Sequence, residues 1–405
     1  MYVTVTRKGA HINHTILGWA RKDAGFEIAE AAEKAGLSNT KHDTAAERLE
    51  AWEKGDGEPT WTQLTSLARV YRRPIITFYL DKPPAAGPDL PDFRTLADVP
   101  RGRLSLNLAT LVRRVRATQL ELIDFLTEPD GAVPEVQFVG SFQISDDVSP
   151  LIEDMRVNLN APFELQVGLS DRDVLFQELR KRAEQAGVYV LLLGNLGSHH
   201  SDISLDEFRG FALTDRVAPV VVINRHDAKS AHTFTLMHEL AHVWLGASGI
   251  SNATATSDKE ADADIERFCN TVASEFLLPT ELVEEAWEQD RGEDIAMAVR
   301  AVADRFNVSR TATAWKLWKL RHIQEEDWWR LYHQYRREWE ARRRHQSEKV
   351  KQGPPQYVVK RRELGNALIQ TVLRGIDSGE ITYTRASRML NASPNTIDRL
   401  REAVA

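Results

Sequence analysis

The chain has 405 residues, of which 42% are hydrophobic and 27% are charged, and its formal net charge at pH 7 is −7. This composition is typical of a soluble globular protein with two or more domains. No apolar run approaches the roughly 18 to 20 residues of a membrane-spanning helix, the N-terminal stretch MYVTVTRKGAHINH lacks the apolar centre of a secretory signal, and the single cysteine excludes an intrachain disulfide. We therefore expect a cytoplasmic protein with no membrane partner.

The first 85 residues are predicted to form a small helical domain. Short amphipathic stretches, among them FEIAEAAEKAG and TWTQLTSLARVYRRP, are separated by Gly, Pro or clusters of Ser, Thr and Asp. The proline-rich stretch PPAAGPDLPD then marks a boundary, and LSLNLATLVRRVRATQLELIDFLTE has the periodicity of one long amphipathic helix. We assign residues 86–165 to this linker and long helix.

The pattern changes after a further predicted helix at residues 171–187. Three β-branched, apolar runs follow it, separated by turn residues: VYVLLLG, EFRGFALTD and PVVVINR. The tight connection from Arg216 to Pro219 predicts a hairpin between the second and the third. A helix that opens at Ser230 comes directly after this sheet.

That helix contains the stretch FTLMHELAHVWLG, residues 234–246. It is apolar nearly all round, which indicates a buried helix, and buried polar groups need partners. His238 and His242 are four residues apart, so they lie on one face and can direct ring nitrogens to one metal ion. Glu239 stands beside that point, where it can accept a proton from a water molecule that the metal activates. The pattern predicts zinc-dependent hydrolysis of a peptide bond.

A tetrahedral zinc site with one position left for water needs a third protein ligand. The acidic segment SDKEADADIERFCNTVASEFLLP offers the carboxylates of Glu260, Asp262, Asp264 and Glu266. The apolar face of this predicted helix is flanked by Asp262 and Glu266, while Glu260 and Asp264 point away from it. Spacing alone therefore leaves two candidates. Cys269 is a soft candidate ligand as well, although its residue type favours a small buried hydrophobe.

Taken together, EFRGFALTDRVAPVVVINRHDAKSAHTFTLMHELAHVWLG and IERFCNTVASEFLLP closely resemble the ImmA/IrrE family of zinc metallo-endopeptidases. This family pairs HELAH with a downstream E-x-x-A/C-N-x-x-A-x-x-L-L-x-P pattern. The resemblance implies that Glu266 is the third ligand. It also implies that Asn270, one turn further along, supports the site, with an ordinary packed polar residue as the alternative.

The resemblance has consequences for the fold and the substrate. It implies a chain that is mainly α, with an α+β gluzincin-like core at residues 166–298 in which a small antiparallel sheet covers the active-site helix. It implies a protein substrate, namely a transcriptional repressor cut in response to stress, DNA damage or a mobile element. An exposed sheet edge would present such a peptide to the metal, and we expect that edge at Phe211, Ala212 and Leu213.

The N-terminal helices resemble the Xre-type helix-turn-helix that is often fused to these peptidases. The chain departs from that motif between Gly36 and Trp52, where it is about seven residues longer than usual. The helix AAERLEAWEK also presents Glu47, Glu50 and Glu53, which DNA phosphates would repel. Sequence-specific DNA binding and a helical docking role are therefore equal alternatives for this domain.

The C-terminal third is rich in charge and in helical units. Residues 330–362 carry 11 basic and 3 acidic side chains, a composition that can meet nucleic-acid phosphates, although a solvated helix followed by a Gly-Pro-Pro linker is the favoured interpretation. Helix-turn-helix-like units are predicted at residues 299–325 and near the end of residues 326–405. The latter is the better DNA-binding candidate because it follows the basic segment. Four arginines surround its turn: Arg385, Arg388, Arg399 and Arg401.

Two functions from different classes follow from these patterns. The first is a zinc endopeptidase that cleaves a regulatory protein, with Glu239 as the general base. The second is a DNA-binding transcriptional regulator whose metal site is sensory or structural. Glu239 favours the first, because a structural site closes the fourth zinc position and has no need of a carboxylate beside it.

Overall fold

The computed structural model describes most of the chain, namely residues 10–84, 92–93, 104–127, 134–145, 147–251, 260–292, 294–349 and 354–404. Two compact units are present, one formed by residues 1–89 and 101–112 and the other by residues 90–100 and 113–405. The sequence analysis divided the chain into five segments, at residues 1–85, 86–165, 166–298, 299–325 and 326–405. This finer division stays a prediction. Within the described residues, every helix is too short or too polar to cross a membrane.

The first unit is helical. Its elements are α1 (His14–Asp23), α2 (Ile28–Lys34), α3 (Ala45–Lys54), α4 (Trp61–Val70) and a 3-10 helix at Ile75–Tyr79. Threonine hydroxyls begin two of these helices, because Thr44 and Thr60 each accept a backbone hydrogen bond in a capping box with the glutamate or glutamine three residues on. The interior contains Leu17, Leu49 and Leu64, all fully buried.

The predicted row of outward-facing glutamates on α3 is wrong at one position. Glu53 points inwards and receives two hydrogen bonds from Arg21, at 2.7 Å and 2.9 Å, and both side chains are largely buried. A buried carboxylate requires such a charged partner, and the hydrophobic periodicity of α3 did not reveal it. Glu47 and Glu50 remain at the surface, where they bond to Thr44 and Lys54. DNA binding by this unit stays a prediction.

The second unit contains five strands, thirteen α-helices and a short 3-10 helix at His199–Ser201 among its described residues, and α5 also extends into the first unit. The strands are β1 (Asp92–Phe93), β2 (Tyr189–Leu193), β3 (Gly210–Leu213), β4 (Val220–Asn224) and β5 (Gly249–Ser251). The helices are α5 (Leu106–Leu126), α6 (Ser149–Asn158), α7 (Phe163–Gly168), α8 (Arg172–Gln185), α9 (Lys229–Leu245), α10 (Glu260–Leu277), α11 (Thr280–Asp290), α12 (Ile295–Arg305), α13 (Arg310–Lys319), α14 (Glu325–Lys349), α15 (Gln356–Asp377), α16 (Tyr383–Leu390) and α17 (Pro394–Val404).

A small sheet lies at the centre of this unit, in the order β1-β5-β3-β4-β2. The prediction of a mainly α chain with a small sheet is confirmed, and so is the hairpin, since β3 and β4 pair antiparallel from Gly210 opposite Ile223. The sheet is mixed rather than antiparallel, however, because β2 lies parallel to β4 and β1 parallel to β5. The two short strands β1 and β5 were not predicted, since two or three residues are too few to show alternation.

Helix α9 packs against β3, β4, α8 and α10 in the main hydrophobic core. It begins at Lys229, one residue before the predicted start at Ser230. It ends at Leu245 and is capped by Gly246, which adopts the left-handed conformation common after helix ends. Trp244, in the last turn of α9, makes two contacts with other segments. Its Nε1 donates a 2.7 Å hydrogen bond to Asp154 of α6, and its ring stacks on Phe138 at 3.9 Å. The helix is therefore fixed at its C-terminal end.

The C-terminal helix α15 packs against β2 and α8. It is broken at Gly365, where φ is +74° and ψ is 166°. Glu184 of α8 caps the part that follows, accepting hydrogen bonds from the backbone N–H groups of Asn366 and Ala367 at 3.0 and 3.2 Å. Helix α15, which lies outside the predicted catalytic core of residues 166–298, thus packs against the sheet of that core through β2.

The two predicted C-terminal helix-turn-helix outlines correspond to pairs of helices joined by short turns, α12 with α13 and α16 with α17. In the second pair, Asn391 forms the turn in the left-handed conformation. Three of the arginines singled out there are paired with acidic groups: Arg385 with Glu121 and Asp124 of α5, Arg388 with Glu121, and Arg401 with Asp377. These pairs reduce the positive charge available to phosphates, and DNA binding by this pair stays a prediction.

Candidate metal centre

Three side chains from two adjacent helices converge on one buried point. His238 and His242 project from the same face of α9, and Glu266 reaches them from α10. The Nε2 atoms of the two histidines lie 3.1 Å apart, and the two carboxylate oxygens of Glu266 lie 3.0 Å from Nε2 of His242 and 3.4 Å from Nε2 of His238. All three residues are at most 2% exposed.

These separations fit a shared metal ion. Ligand atoms placed about 2.0–2.1 Å from a tetrahedral zinc are about 3.3 Å from one another. The three distances here, two of which use different oxygens of Glu266, span 3.0–3.4 Å. Two histidines and one carboxylate are also a donor set that leaves one position of such an ion open. The residues present can therefore hold a metal, and the cluster is the one group of metal-ligating side chains found among the described residues.

The two histidines differ in their electrostatic surroundings. Burial lowers the pKa of His238, but the Glu266 carboxylate and, to a smaller extent, Glu239 and Asn270 outweigh it, so that this pKa is raised. Burial also lowers the pKa of His242, and there it prevails over Glu266. Burial raises the pKa of Glu266 while both histidines lower it, with a net lowering. Glu266 is therefore ionised at neutral pH, as a metal ligand is.

Glu239 occupies the place beside this cluster that its position in the sequence predicts. It is adjacent to His238 on α9, fully buried, and close enough to raise the pKa of that histidine. On the same helix face, one turn earlier, lies Thr235, and both side chains face Gly210 of β3. A buried carboxylate next to a metal cluster, and not within it, is the arrangement of a general base.

The other described side chains of α10 that the sequence suggested as metal ligands or supporting groups are not part of the cluster. Asp264 is exposed and the side chain of Asp262 lies outside the described residues. Cys269 is fully buried and is not part of the cluster, and burial followed by the charges of Glu266 and Glu239 raises the pKa of its thiol well above the ordinary value. It is a neutral, packed thiol. Asn270 is half-buried one turn after Glu266, and its side chain acts on His238.

The expectation that Phe211, Ala212 and Leu213 form an exposed sheet edge is wrong. These residues belong to β3, which pairs with β4 on one side and, from Gly210 to Ala212, with β5 on the other, and all three side chains are fully buried. A strand whose backbone groups are already paired on both sides offers no ladder to an added peptide. Strand β5, which pairs with the second side of β3, was too short to be predicted from the sequence.

Two contacts that position the site were also missed. One is the hydrogen bond from Trp244 to Asp154, because residues so far apart in sequence leave no local signal. The other is the approach of Gly210 to Glu239. A glycine within a strand pattern commonly marks a close approach of the backbone to another group, so this contact had a signal in the run EFRGFALTD.

Comparison with known families agrees with this arrangement. Residues 183–317 match the family model Peptidase_M78, described as the IrrE N-terminal-like domain. The matched segment includes β2, β3, β4, α9 and α10, and thus the whole cluster of two histidines and one glutamate. No curated protein matches the chain. Residues 183–317 of the chain are thus similar to a peptidase domain of the IrrE type.

Proposed function

We propose that this protein is a zinc-dependent endopeptidase in which His238, His242 and Glu266 hold the metal and Glu239 is the general base. The observation that carries the proposal is the buried cluster of two imidazoles and one carboxylate, whose nearest N and O atoms lie 3.0–3.4 Å apart, with a second carboxylate, that of Glu239, beside it. The match of residues 183–317 to a peptidase family model supports the same reaction. Zinc bound by these residues would lower the pKa of a water molecule and polarise the scissile carbonyl.

The side chains of this chain supply the remaining steps. Glu239 accepts a proton from the attacking water, and the same carboxyl group then donates it to the leaving amine, so that one residue acts as base and as acid. Burial keeps competing water away from this carboxylate and strengthens its interactions. Asn270 supports the imidazole of His238 through its side chain, which helps to orient the ligand and adjust its basicity.

The proposed substrate is a regulatory protein, a transcriptional repressor that is cut in a stress or mobile-element response. This part of the proposal rests on the resemblance to the ImmA/IrrE family alone. A repressor offers an endopeptidase an accessible loop or linker between its DNA-binding and oligomerisation parts, and cleavage there would end repression.

The proposal is tested by measuring metal content and proteolysis on the full-length protein. Wild type, Glu239→Gln and His242→Ala are purified, their zinc content is determined by mass spectrometry, and each is incubated with candidate repressors from the same genome. One zinc per chain is expected in wild type and Glu239→Gln, with cleavage by the wild type alone. His242→Ala is expected to lose both zinc and cleavage.

His232→Gln is the matched control for the loss of a histidine. His232 lies on the same helix, is also buried and packs against Phe176, but is outside the cluster. It should keep its zinc. Zinc in the wild type without cleavage of any repressor would contradict the endopeptidase and favour a regulator with a structural metal. Equal and negligible zinc in the wild type and His242→Ala would exclude the metal site.

A further inference from the structure

Gly210, the first residue of β3, lies directly against the carboxylate of Glu239. A Cβ atom built on Gly210 would be 2.5 Å from Oε1 of Glu239, 2.9 Å from Cδ of the same side chain and 2.8 Å from Cγ2 of Thr235. Real Cβ atoms essentially never approach other heavy atoms closer than 3.0 Å. Every other residue type would therefore collide with Glu239 unless one of the two moved.

Backbone conformation does not explain this glycine. Gly210 has no positive φ, in contrast to Gly246 at the end of α9, where φ is +68°. Any L residue could adopt the backbone of Gly210, so the requirement is one of space. Glycine in the interior of a strand is unfavourable for the strand itself, and the gain here is the close approach of β3 to the helix face that carries Thr235 and Glu239.

Neither the backbone of β3 nor helix α9 can easily move away to make room for an added side chain. The backbone of β3 is held on both sides, since Gly210 is opposite Ile223 of β4 and Ser251 of β5. Helix α9 is fixed by its own packing and by the hydrogen bond from Trp244 to Asp154. The carboxylate of Glu239 is the end of a longer side chain with several rotatable bonds. It is the group that would move.

We propose that Gly210 is a positioning residue that sets where the Glu239 carboxylate lies. Because Gly210 has no side chain, the carboxylate of Glu239 can lie beside the metal ligands. The backbone of β3 prevents this carboxylate from moving further away from them. This inference rests on the proposed role of Glu239 as general base. A displacement of about 1 Å in a catalytic group can cost on the order of 10²-fold in rate.

The test is a double-mutant cycle on the full-length protein, with Gly210→Ala made in the wild type and in Glu239→Asp. Each protein is measured for zinc content, for thermal unfolding and for kcat and KM on a repressor that the wild type cleaves. Gly210→Ala should keep one zinc per chain, lose on the order of 10²-fold in kcat and change KM by less than about twofold. Because aspartate is one methylene shorter, adding Gly210→Ala to Glu239→Asp should cost clearly less kcat and less melting temperature than it costs in the wild type.

Gly194→Ala is the control for crowding as such. A Cβ on Gly194 would also collide, but with His226 and Asn224, which are outside the proposed site. This variant should lose melting temperature and keep its kcat per folded molecule. Equal effects of Gly210→Ala in both backgrounds, or a Gly210→Ala variant with the wild-type kcat, would overturn the inference. A wild type that cleaves no repressor would instead refute the proposed function, and the coupling in melting temperature would still decide whether Gly210 and Glu239 constrain each other.

Discussion

The carboxylate of Glu266 lies 3.0 Å from the Nε2 atom of His242, although the two residues are on different helices and 24 positions apart in the sequence. The second oxygen of the same carboxylate is 3.4 Å from Nε2 of His238. One side chain of α10 thus reaches both histidines of α9. The metal site therefore depends on the packing of α9 against α10.

Removal of the Glu266 charge should strongly weaken metal binding. We expect Glu266→Gln to bind zinc at least on the order of 10²-fold more weakly, because even residues outside the ligand set can contribute 10-fold to 100-fold. Zinc should also be released as the pH falls, since protons compete with the metal for the histidines and the carboxylate. Competition with a chromophoric chelator at several pH values measures both effects.

The control for this charge is Glu275→Gln. Glu275 lies on the same helix and bonds to Lys316 rather than to the cluster. It should bind zinc as the wild type does. A Glu266→Gln variant with the zinc affinity of the wild type would mean that Glu266 is not a ligand.

Replacement of Asn270 should weaken the metal without removing it. Asn270→Ala takes away a side chain that acts on His238, and we expect a loss of 10-fold to 100-fold in zinc affinity, the range typical of groups that orient a ligand. Thr271→Ala is the control, since Thr271 is the next residue along, is exposed and bonds only to the backbone of Arg267 in its own helix. If both variants bind zinc like the wild type, Asn270 is an ordinary packed polar residue.

Local patterns were sufficient to predict the elements that carry the chemistry. Positions i and i+4 share a helix face, so His238 and His242 could be placed together from their spacing alone. The three main strands and the hairpin followed from β-branched runs and a tight turn. Periodicity could not separate Asp262 from Glu266, because the sequence pattern places both beside the apolar face of the predicted helix. That choice depended on the resemblance to a family.

Contacts between distant segments could not be predicted. The strand β5 is only three residues long, yet it converts β3 from a predicted edge into an interior strand. Similarly, Glu53 was assigned to the surface because the helix pattern does not show that Arg21, 32 residues earlier, meets it in the interior. Each error concerns a group whose surroundings are set by another part of the chain.

The ion pair of Glu275 with Lys316 predicts a dependence of stability on pH. Burial by itself raises the pKa of Glu275, but hydrogen bonds from Lys316 at 2.5 Å and from Thr280 outweigh it, and the pKa is lowered from its ordinary value of 4.5. A carboxylate whose pKa is lower in the folded state than in the unfolded state stabilises the fold at pH values above its pKa in the unfolded state. This contribution is lost as the pH falls through the folded pKa.

The measurement compares the free energy of unfolding of wild type and Glu275→Gln. At pH 7 we expect the variant to be about 2 kcal/mol less stable, the range for hydrogen bonds to charged groups. The difference should shrink as the pH falls below 4.5, because the wild-type carboxyl group then becomes neutral as well. Glu281→Gln, on the exposed surface of α11, is the control and should show no such narrowing. A difference that is constant with pH would contradict the ionic role of Glu275.

Glu184 should be necessary for the attachment of α15 to the sheet. Its carboxylate accepts a 3.0 Å hydrogen bond from Arg180 and caps the part of α15 that starts at Asn366, and the side chains of Glu184 and Arg180 are both less than 10% exposed. Arg180 also donates to the backbone carbonyls of Arg362 and Val190, so that it joins α15 to β2. Loss of one partner leaves the other as an uncompensated buried charge.

We expect Glu184→Gln to lower the free energy of unfolding by about 3 kcal/mol and to increase amide hydrogen exchange in residues 366–377 well before the rest of the unit. Glu178→Gln is the matched control, because Glu178 lies on the same helix and pairs with Arg182 at 2.9 Å in a more exposed position. A pair of that kind contributes about 0–1 kcal/mol, and its loss should leave exchange in α15 unchanged. Equal protection of residues 366–377 in both variants would mean that apolar packing against β2 alone holds the helix. Faster exchange in Glu184→Gln alone would show that a single carboxylate of α8 connects the C-terminal helices to the sheet beneath the metal site.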